Sequence, residues 1–90
     1  MAAGWVEAEF TVGRELGLHA RPSGLIVTLA AEYSSEIEVG RDEEWVSGRS
    51  VLSILSLAAT RGTTLGLRAR GEDAAAAVAA IGAVIAALED

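Results

Sequence analysis

The chain has a single histidine, His19, and the residues around it are those whose types and spacing suit chemistry. They form the segment GLHARP at 17–22, immediately before a stretch with helical periodicity. The first backbone N–H groups of a helix lack internal partners, and the helix dipole adds positive charge, so an anion is favoured there. Arg21 adds a guanidinium that suits phosphate oxygens. The pattern predicts that the His19 imidazole takes up a phosphoryl group, held by the backbone amides of Ala20 and Arg21 and by the Arg21 side chain.

A simpler interpretation of the same residues stays open at this point. A lone histidine at a helix start is commonly a cap or a surface residue, and Arg21 would then be a solvated charge. The composition argues against a hydrolase or a metal enzyme, because one histidine, no cysteine and no convergent acid pair are too few groups for a metal site or a catalytic triad. Neither a metal nor a cofactor is expected.

Composition narrows the classes of function further. With 90 residues, 51% of them hydrophobic, the chain is predicted to form a single domain over 1–90. The net charge of −6, with seven basic and 13 acidic residues, argues against binding to a nucleic-acid backbone. No apolar run approaches the ~20 residues of a membrane span, and the first residues lack the features of a secretory signal, so a cytoplasmic location is expected.

The hydrophobic pattern predicts the elements that must position His19. Strands are expected at 5–12, 36–39, 45–46 and 65–70, with a hairpin turn at 40–42, and helices at 20–33, 51–59 and 74–88. The predicted inward face of the first helix consists of Leu25, Ile26, Leu29, Ala30 and Tyr33. The order β-α-β-β-α-β-α, with one apolar face per element, predicts a two-layer α+β sandwich.

These features together resemble the HPr family, the histidine-containing phosphocarriers of the phosphoenolpyruvate-dependent sugar phosphotransferase system. The resemblance rests on GLHARP at 17–22, GTTL at 62–65, GEDA at 71–74, the length and the element order. It covers essentially the whole chain. It implies an open-faced β-sandwich, in which a four-stranded antiparallel sheet is covered on one face by three helices.

The resemblance also implies a mechanism and partners. His19 would accept a phosphoryl group on Nδ1 from enzyme I and pass it to the enzyme IIA component of a sugar permease, with Arg21 beside the phosphate. The chain would then be a phosphotransfer protein rather than a turnover enzyme, and a monomer. The sequence departs from the family in two places. Leu16 stands where several relatives have a small polar residue near the phosphate, so one side-chain hydrogen bond is missing, and the first helix carries few of the basic residues that relatives present to acidic partners, which affects partner identity and affinity.

Ser50 is the second position of interest. As a serine before the apolar stretch 51–59 it suits a helix N-cap. The resemblance implies a further role, because in some family members a kinase modifies the serine at this place, weakening phosphotransfer and recruiting a transcriptional regulator. Both interpretations stay open for Ser50.

Beside Ser50, the resemblance implies a partner-docking patch. Leu52 and Leu55 are three residues apart and share a helix face. Together with Val51 and the basic Arg49 they correspond to the family's exposed docking surface, whereas Ile54 is expected in the core. The alternative for the leucines is ordinary core packing.

Two other functions stay open. One is a regulatory HPr-like protein that acts through Ser50, although such proteins typically lose the histidine. The other is a carrier in a nitrogen-linked or dihydroxyacetone kinase relay, with the same residues and different partners.

Overall fold

A computed structural model describes residues 4–11, 20–57 and 64–87. Within these ranges the element order is the predicted β-α-β-β-α-β-α, confirming the α+β class. The elements are β1 (Val6–Thr11), α1 (Ala20–Ala30), β2 (Glu36–Arg41), β3 (Glu44–Ser47), α2 (Val51–Ser56), β4 (Thr64–Arg70) and α3 (Ala74–Ala87). No helix in the described ranges is long and apolar enough to cross a membrane.

The four strands form one antiparallel sheet in the order β1-β4-β2-β3. The helices cover one face of it, where α3 contacts β1 and β4, and α1 contacts both α2 and α3. Alternate residues of β2 and β4 point into this layer, as period-2 patterning requires. The buried residues there are Ile37 and Val39 of β2, Leu65, Leu67 and Ala69 of β4, and Ile26, Ala30, Ile54, Leu57, Ala74, Ala77, Val78 and Ile81 of the helical layer.

The hairpin turn begins two residues later than predicted, at Asp42 instead of Gly40. Asp42 and Glu43 form it, with φ of 52° and 71°, and Arg41 pairs with Glu44 across it. Positive φ at both central residues is the type I′ geometry that matches strand twist. Gly40 belongs instead to β2, where it pairs with Trp45 of β3 and Gly66 of β4, and a Cβ there would lie 2.6 Å from the Trp45 ring. Its lack of a side chain serves close packing rather than the turn.

The inward face of α1 also differs from the prediction. Leu25 is 52% exposed, so it does not belong to the core. The fully buried positions are Ser23, Ile26 and Ala30, whose spacing of three and four residues follows the helical repeat. Leu29 and Tyr33 are partly buried and pack against the core as predicted, so Leu25 is the member of the predicted face that departs from it. Helix α2 ends at Ser56 with Leu57 as its C-cap, and the remaining residues predicted for it lie outside the described ranges.

One side chain holds the connection between α1 and β2. The Asp73 carboxylate, just before α3, accepts hydrogen bonds from the backbone N–H groups of Ser34 (2.9 Å) and Ser35 (3.0 Å) and from the Ser35 hydroxyl. These bonds, the Ser35 hydroxyl foremost, lower the pKa of Asp73 from 3.8 to about 2. The start of α3 is thereby fastened to a loop 38 residues away in sequence.

Candidate functional site

The site predicted around His19 is located by the start of α1. The helix begins at Ala20, the residue that follows His19 in the chain, so the backbone amides of Ala20 and Arg21 belong to its first turn. Amides of a first turn have no acceptor within the helix. The His19 residue itself lies outside the described ranges, as does the side chain of Arg21.

Ser23, in the same first turn, adds an unusual feature. Its side chain is fully buried, and its Oγ has no hydrogen-bond partner in the described part of the chain. A buried hydroxyl is normally paired. The sequence offered no signal for this burial, since serine is more often a surface residue.

Ser50 is the N-cap of α2, which agrees with one of the two interpretations of this residue. Its backbone is extended, with φ of −124° and ψ of 113°, and its Oγ accepts a hydrogen bond from the Ser53 N–H at 3.2 Å. The Ser50 carbonyl accepts the first helical bond, from the Ile54 N–H at 3.1 Å. The side chain is half-buried, and its hydroxyl stabilises the start of α2 as a helix cap.

Arg49 makes contacts that the sequence did not reveal. Its Nη2 donates to the Tyr33 carbonyl at 2.6 Å and to the Ala30 carbonyl at 3.3 Å. Ala30 is the last residue of α1, and terminal carbonyls attract a cation because they lack partners within the helix. Arg49 therefore ties the residues ahead of α2 to the end of the helix that begins after His19. No local pattern signals a contact between residues 16 and 19 positions apart.

The apolar residues of α2 divide between the core and the surface. Ile54 is fully buried, as expected. Leu52 is 79% exposed, whereas Val51 and Leu55 are half-buried. Leu25, on the neighbouring helix α1, is a further exposed leucine that the sequence analysis assigned to the core. Helices α1 and α2 contact each other, and each exposes a large apolar side chain, Leu25 on α1 and Leu52 on α2.

The described residues contain no metal centre, since they nowhere gather three His, Cys, Asp or Glu side chains suited to an ion.

Comparison with known proteins decides the family. Residues 6–87 match the family described as "PTS HPr component phosphorylation site". The chain belongs to the HPr family. Phosphocarriers of the phosphotransferase system make up this family, so the predicted class of function is confirmed along with the predicted fold.

Individual relatives agree with this assignment. The chain is similar to the phosphocarrier protein NPr of Shewanella violacea, with 39% identity over 80 residues that cover 89% of this chain and 88% of the relative. It is also 39% identical over 88 residues to the multiphosphoryl transfer protein of Haemophilus influenzae, covering 94% of this chain. It spans only 18% of that longer relative. The HPr-C-His structure from Thermoanaerobacter tengcongensis superimposes with a TM-score of 0.87 at 33% identity, covering 93% of this chain and 94% of the other.

Proposed function

We propose that this chain carries a phosphoryl group on His19, which it receives from enzyme I and passes to the enzyme IIA component of a sugar permease. The observation that carries this proposal is the start of α1 at Ala20, directly after the one histidine, in a family named for its phosphorylation site. In this scheme the chain is not a turnover enzyme and acts in the cytoplasm as a monomer.

The proposed transfer is balanced without a cofactor. A lone pair on the His19 imidazole forms the N–P bond while the bond from phosphorus to its atom in enzyme I breaks. In the second step the N–P bond breaks as an atom of the acceptor protein bonds to phosphorus. The chain returns to its starting state and consumes nothing.

The charge on the phosphoryl group explains the other proposed residues. A phosphohistidine carries about two negative charges, as other phosphorylated side chains do near neutral pH. The first-turn amides of Ala20 and Arg21 and the Arg21 guanidinium supply complementary charge. A carrier must also release its cargo, so a few contacts serve better than a deep pocket that would stabilise the phosphorylated state too strongly.

We assign partner docking to the surface formed by Val51, Leu52 and Leu55. The 79% exposure of Leu52 supports this role, because a large exposed leucine contributes nothing to the core and suits the apolar centre of an interface. Arg49, predicted as a basic docking residue, holds the C-terminal end of α1 through its guanidinium. Its contribution to docking is then to fix the arrangement of α1 and α2.

Regulation through Ser50 remains a proposal of the same kind. A serine kinase acting there would place a phosphate at an N-cap, where the helix dipole and the Ser53 N–H favour negative charge. We expect the helix to remain and the neighbouring surface of Leu52 to become unfavourable for apolar docking. A transcriptional regulator would be a partner of this modified form.

The proposal is tested by intact mass after incubation with phosphoenolpyruvate and an active cognate enzyme I. Wild type and Ser50→Ala should each gain one phosphate that is lost in acid, since a phosphoramidate is acid-labile and a phosphoserine is not. His19→Ala should gain none, and Arg21→Ala should pass its phosphate on more slowly. An acid-stable adduct, or an adduct on His19→Ala, would remove His19 from the mechanism and leave the regulatory interpretation.

A further inference from the structure

The sheet face opposite the helices carries both tryptophans of the chain. Trp5 precedes β1 and Trp45 lies in β3, and the guanidinium carbon of Arg68 sits 4.3 Å and 4.0 Å from their respective ring centroids. Glu38 Oε1 accepts from Arg68 Nε at 2.8 Å and pairs with Nη2 at 2.6 Å. This face therefore already binds one guanidinium, its own, by stacking against indoles and pairing with a carboxylate.

The same sheet face also places carboxylates near the other edge of the Trp45 indole, on the side away from Arg68. The strand register aligns Glu9 of β1, Gly66 of β4, Gly40 of β2 and Trp45 of β3 in one row across the sheet. A Cβ on Gly40 or Gly66 would come within 2.6 Å or 2.7 Å of the indole, so the ring lies directly over both glycines. On one side of this row lies the row that contains Glu7, Arg68 and Glu38, and on its other side lies the turn between β2 and β3.

A cavity of about 230 Å³ opens on the turn side of Trp45. Its lining residues are Glu9, Gly40, Arg41, Asp42, Glu43, Trp45, Thr64 and Gly66. It is smaller than the ~300–1,000 Å³ of a typical small-molecule pocket. One long side chain fits such a volume better than a metabolite does.

The lining of the cavity is negatively charged on balance, since it includes Glu9, Asp42 and Glu43 against the one cation of Arg41. Arg68 and Arg70 neutralise Glu38 and Glu36, their partners at 2.6 Å and 2.7 Å. By contrast, Glu9 and Glu43 are exposed and form no ion pair within 4–11, 20–57 and 64–87. Among the residues that the structure describes, the Asp42 carboxylate forms one ion pair, with Arg41 Nε at 3.7 Å. Within the described residues, Glu9 and Glu43 are thus not compensated by an ion pair, unlike Glu36 and Glu38 on the same sheet.

We propose that this cavity is a docking site for an arginine or lysine side chain of a partner protein. The cation would lie against the Trp45 indole and between the carboxylates of Glu9 and Glu43, as Arg68 lies against Trp45 with Glu38. Because the site is on the sheet face opposite α1 and α2, a partner bound there leaves the surface formed by Val51, Leu52 and Leu55 uncovered. Charge complementarity with an acidic domain favours a basic protein segment as the occupant.

The test is an NMR titration of the ¹⁵N-labelled full chain with two peptides. One is acetyl-GRGRG-amide, and the control replaces both arginines by citrulline, which has nearly the same shape and no charge. The Trp45 indole N–H signal, assigned by its persistence in Trp5→Phe, should shift with the arginine peptide and saturate. The citrulline peptide should bind about tenfold or more weakly, because it lacks the charge that both the indole and the carboxylates attract. No shift of Trp45 at millimolar arginine peptide, or equal shifts with both peptides, would overturn the proposal.

Variants locate the site independently of phosphotransfer. The double variant Glu9→Gln, Glu43→Gln should weaken binding of the arginine peptide at least about fivefold, since two charge contacts at the surface are removed. Glu7→Gln is the matched control, because Glu7 is on the same strand and the same face but does not line the cavity. His19→Ala should bind like wild type. Unchanged affinity in the double variant, or equal loss in Glu7→Gln, would place the peptide elsewhere.

Discussion

The two faces of the sheet are held together by different physics. On the covered face, Leu65, Leu67 and Ala69 alternate into a layer of buried apolar residues. On the open face, the intervening Arg68 and Arg70 pair with glutamates and stack on tryptophan. The same strand, β4, supplies both sets. One face therefore depends on exclusion of water, and the other on polar and aromatic contacts that persist next to water.

This difference separates stability from recognition in the molecule. Burial on the covered face stabilises the domain by removing apolar area from water. The exposed Arg70–Glu36 pair on the open face contributes little stability, typically ~0–1 kcal/mol for such pairs. The part-buried Arg68–Glu38 pair fixes the position of a guanidinium between the two indole rings. A face of this second kind is suited to contact with other molecules.

The largest expected effect is the loss of a core side chain on the covered face. Leu67→Ala should lower the free energy of unfolding by about 2–5 kcal/mol, because Leu67 is fully buried and its removal leaves a cavity. Urea unfolding measures this loss. Leu52→Ala is the control, as the 79% exposed Leu52 should change stability by less than about 0.5 kcal/mol. Equal losses would show that Leu52 packs as a core residue in solution.

A smaller effect is expected from a side chain placed under the Trp45 ring. Gly40→Val should destabilise the domain by about 1–3 kcal/mol and change the tryptophan fluorescence, because the ring must leave its position over β2. Gly24→Ala provides the contrast. A Cβ on Gly24 in α1 would meet nothing within 4 Å, so Gly24→Ala should raise the free energy of unfolding by about 0.5–1 kcal/mol through the higher helix propensity of alanine. Unchanged fluorescence in Gly40→Val would contradict the flat placement of the ring.

The smallest effect concerns Asp73, whose polar contacts resemble those of the open face rather than the core. Its folded-state pKa of about 2 lies below the usual 3.8, so its stabilising effect is complete above the usual value. That effect is lost as the pH falls from about 4 to about 2, because the unfolded chain takes up the proton first. Above about pH 4, Asp73→Asn should have a lower Tm than wild type. Between about pH 4 and about pH 2, its Tm should lack the part of the decrease that Asp73 causes in wild type. The neighbouring exposed Glu72→Gln should keep it, and a slope retained in Asp73→Asn would assign the dependence to another group.

The fold followed from the sequence where the signal was local and periodic. The hydrophobic pattern predicted the strand at 65–70 and the helix at 74–88, which correspond to β4 and α3, and Ser50 was recognised as a cap by its position before an apolar stretch. The prediction for Leu25 was wrong, because helical periodicity indicates which side of α1 faces inward but not how far its packing against α2 and α3 extends around the helix. Gly40 was misplaced for a related reason. Its neighbour Trp45 is brought over it by strand pairing, which local turn statistics do not contain.

The sequence by itself determined the class of fold, the family and the histidine proposed to carry the phosphoryl group, because each is encoded in short patterns along the chain. Only the tertiary structure decided which polar groups meet. Arg49 reaches the end of α1, Asp73 holds the serines before β2, and Arg68 lies between two tryptophans. These contacts join residues far apart in sequence, and their energies depend on distance and solvent exposure, which exist only once the chain has folded.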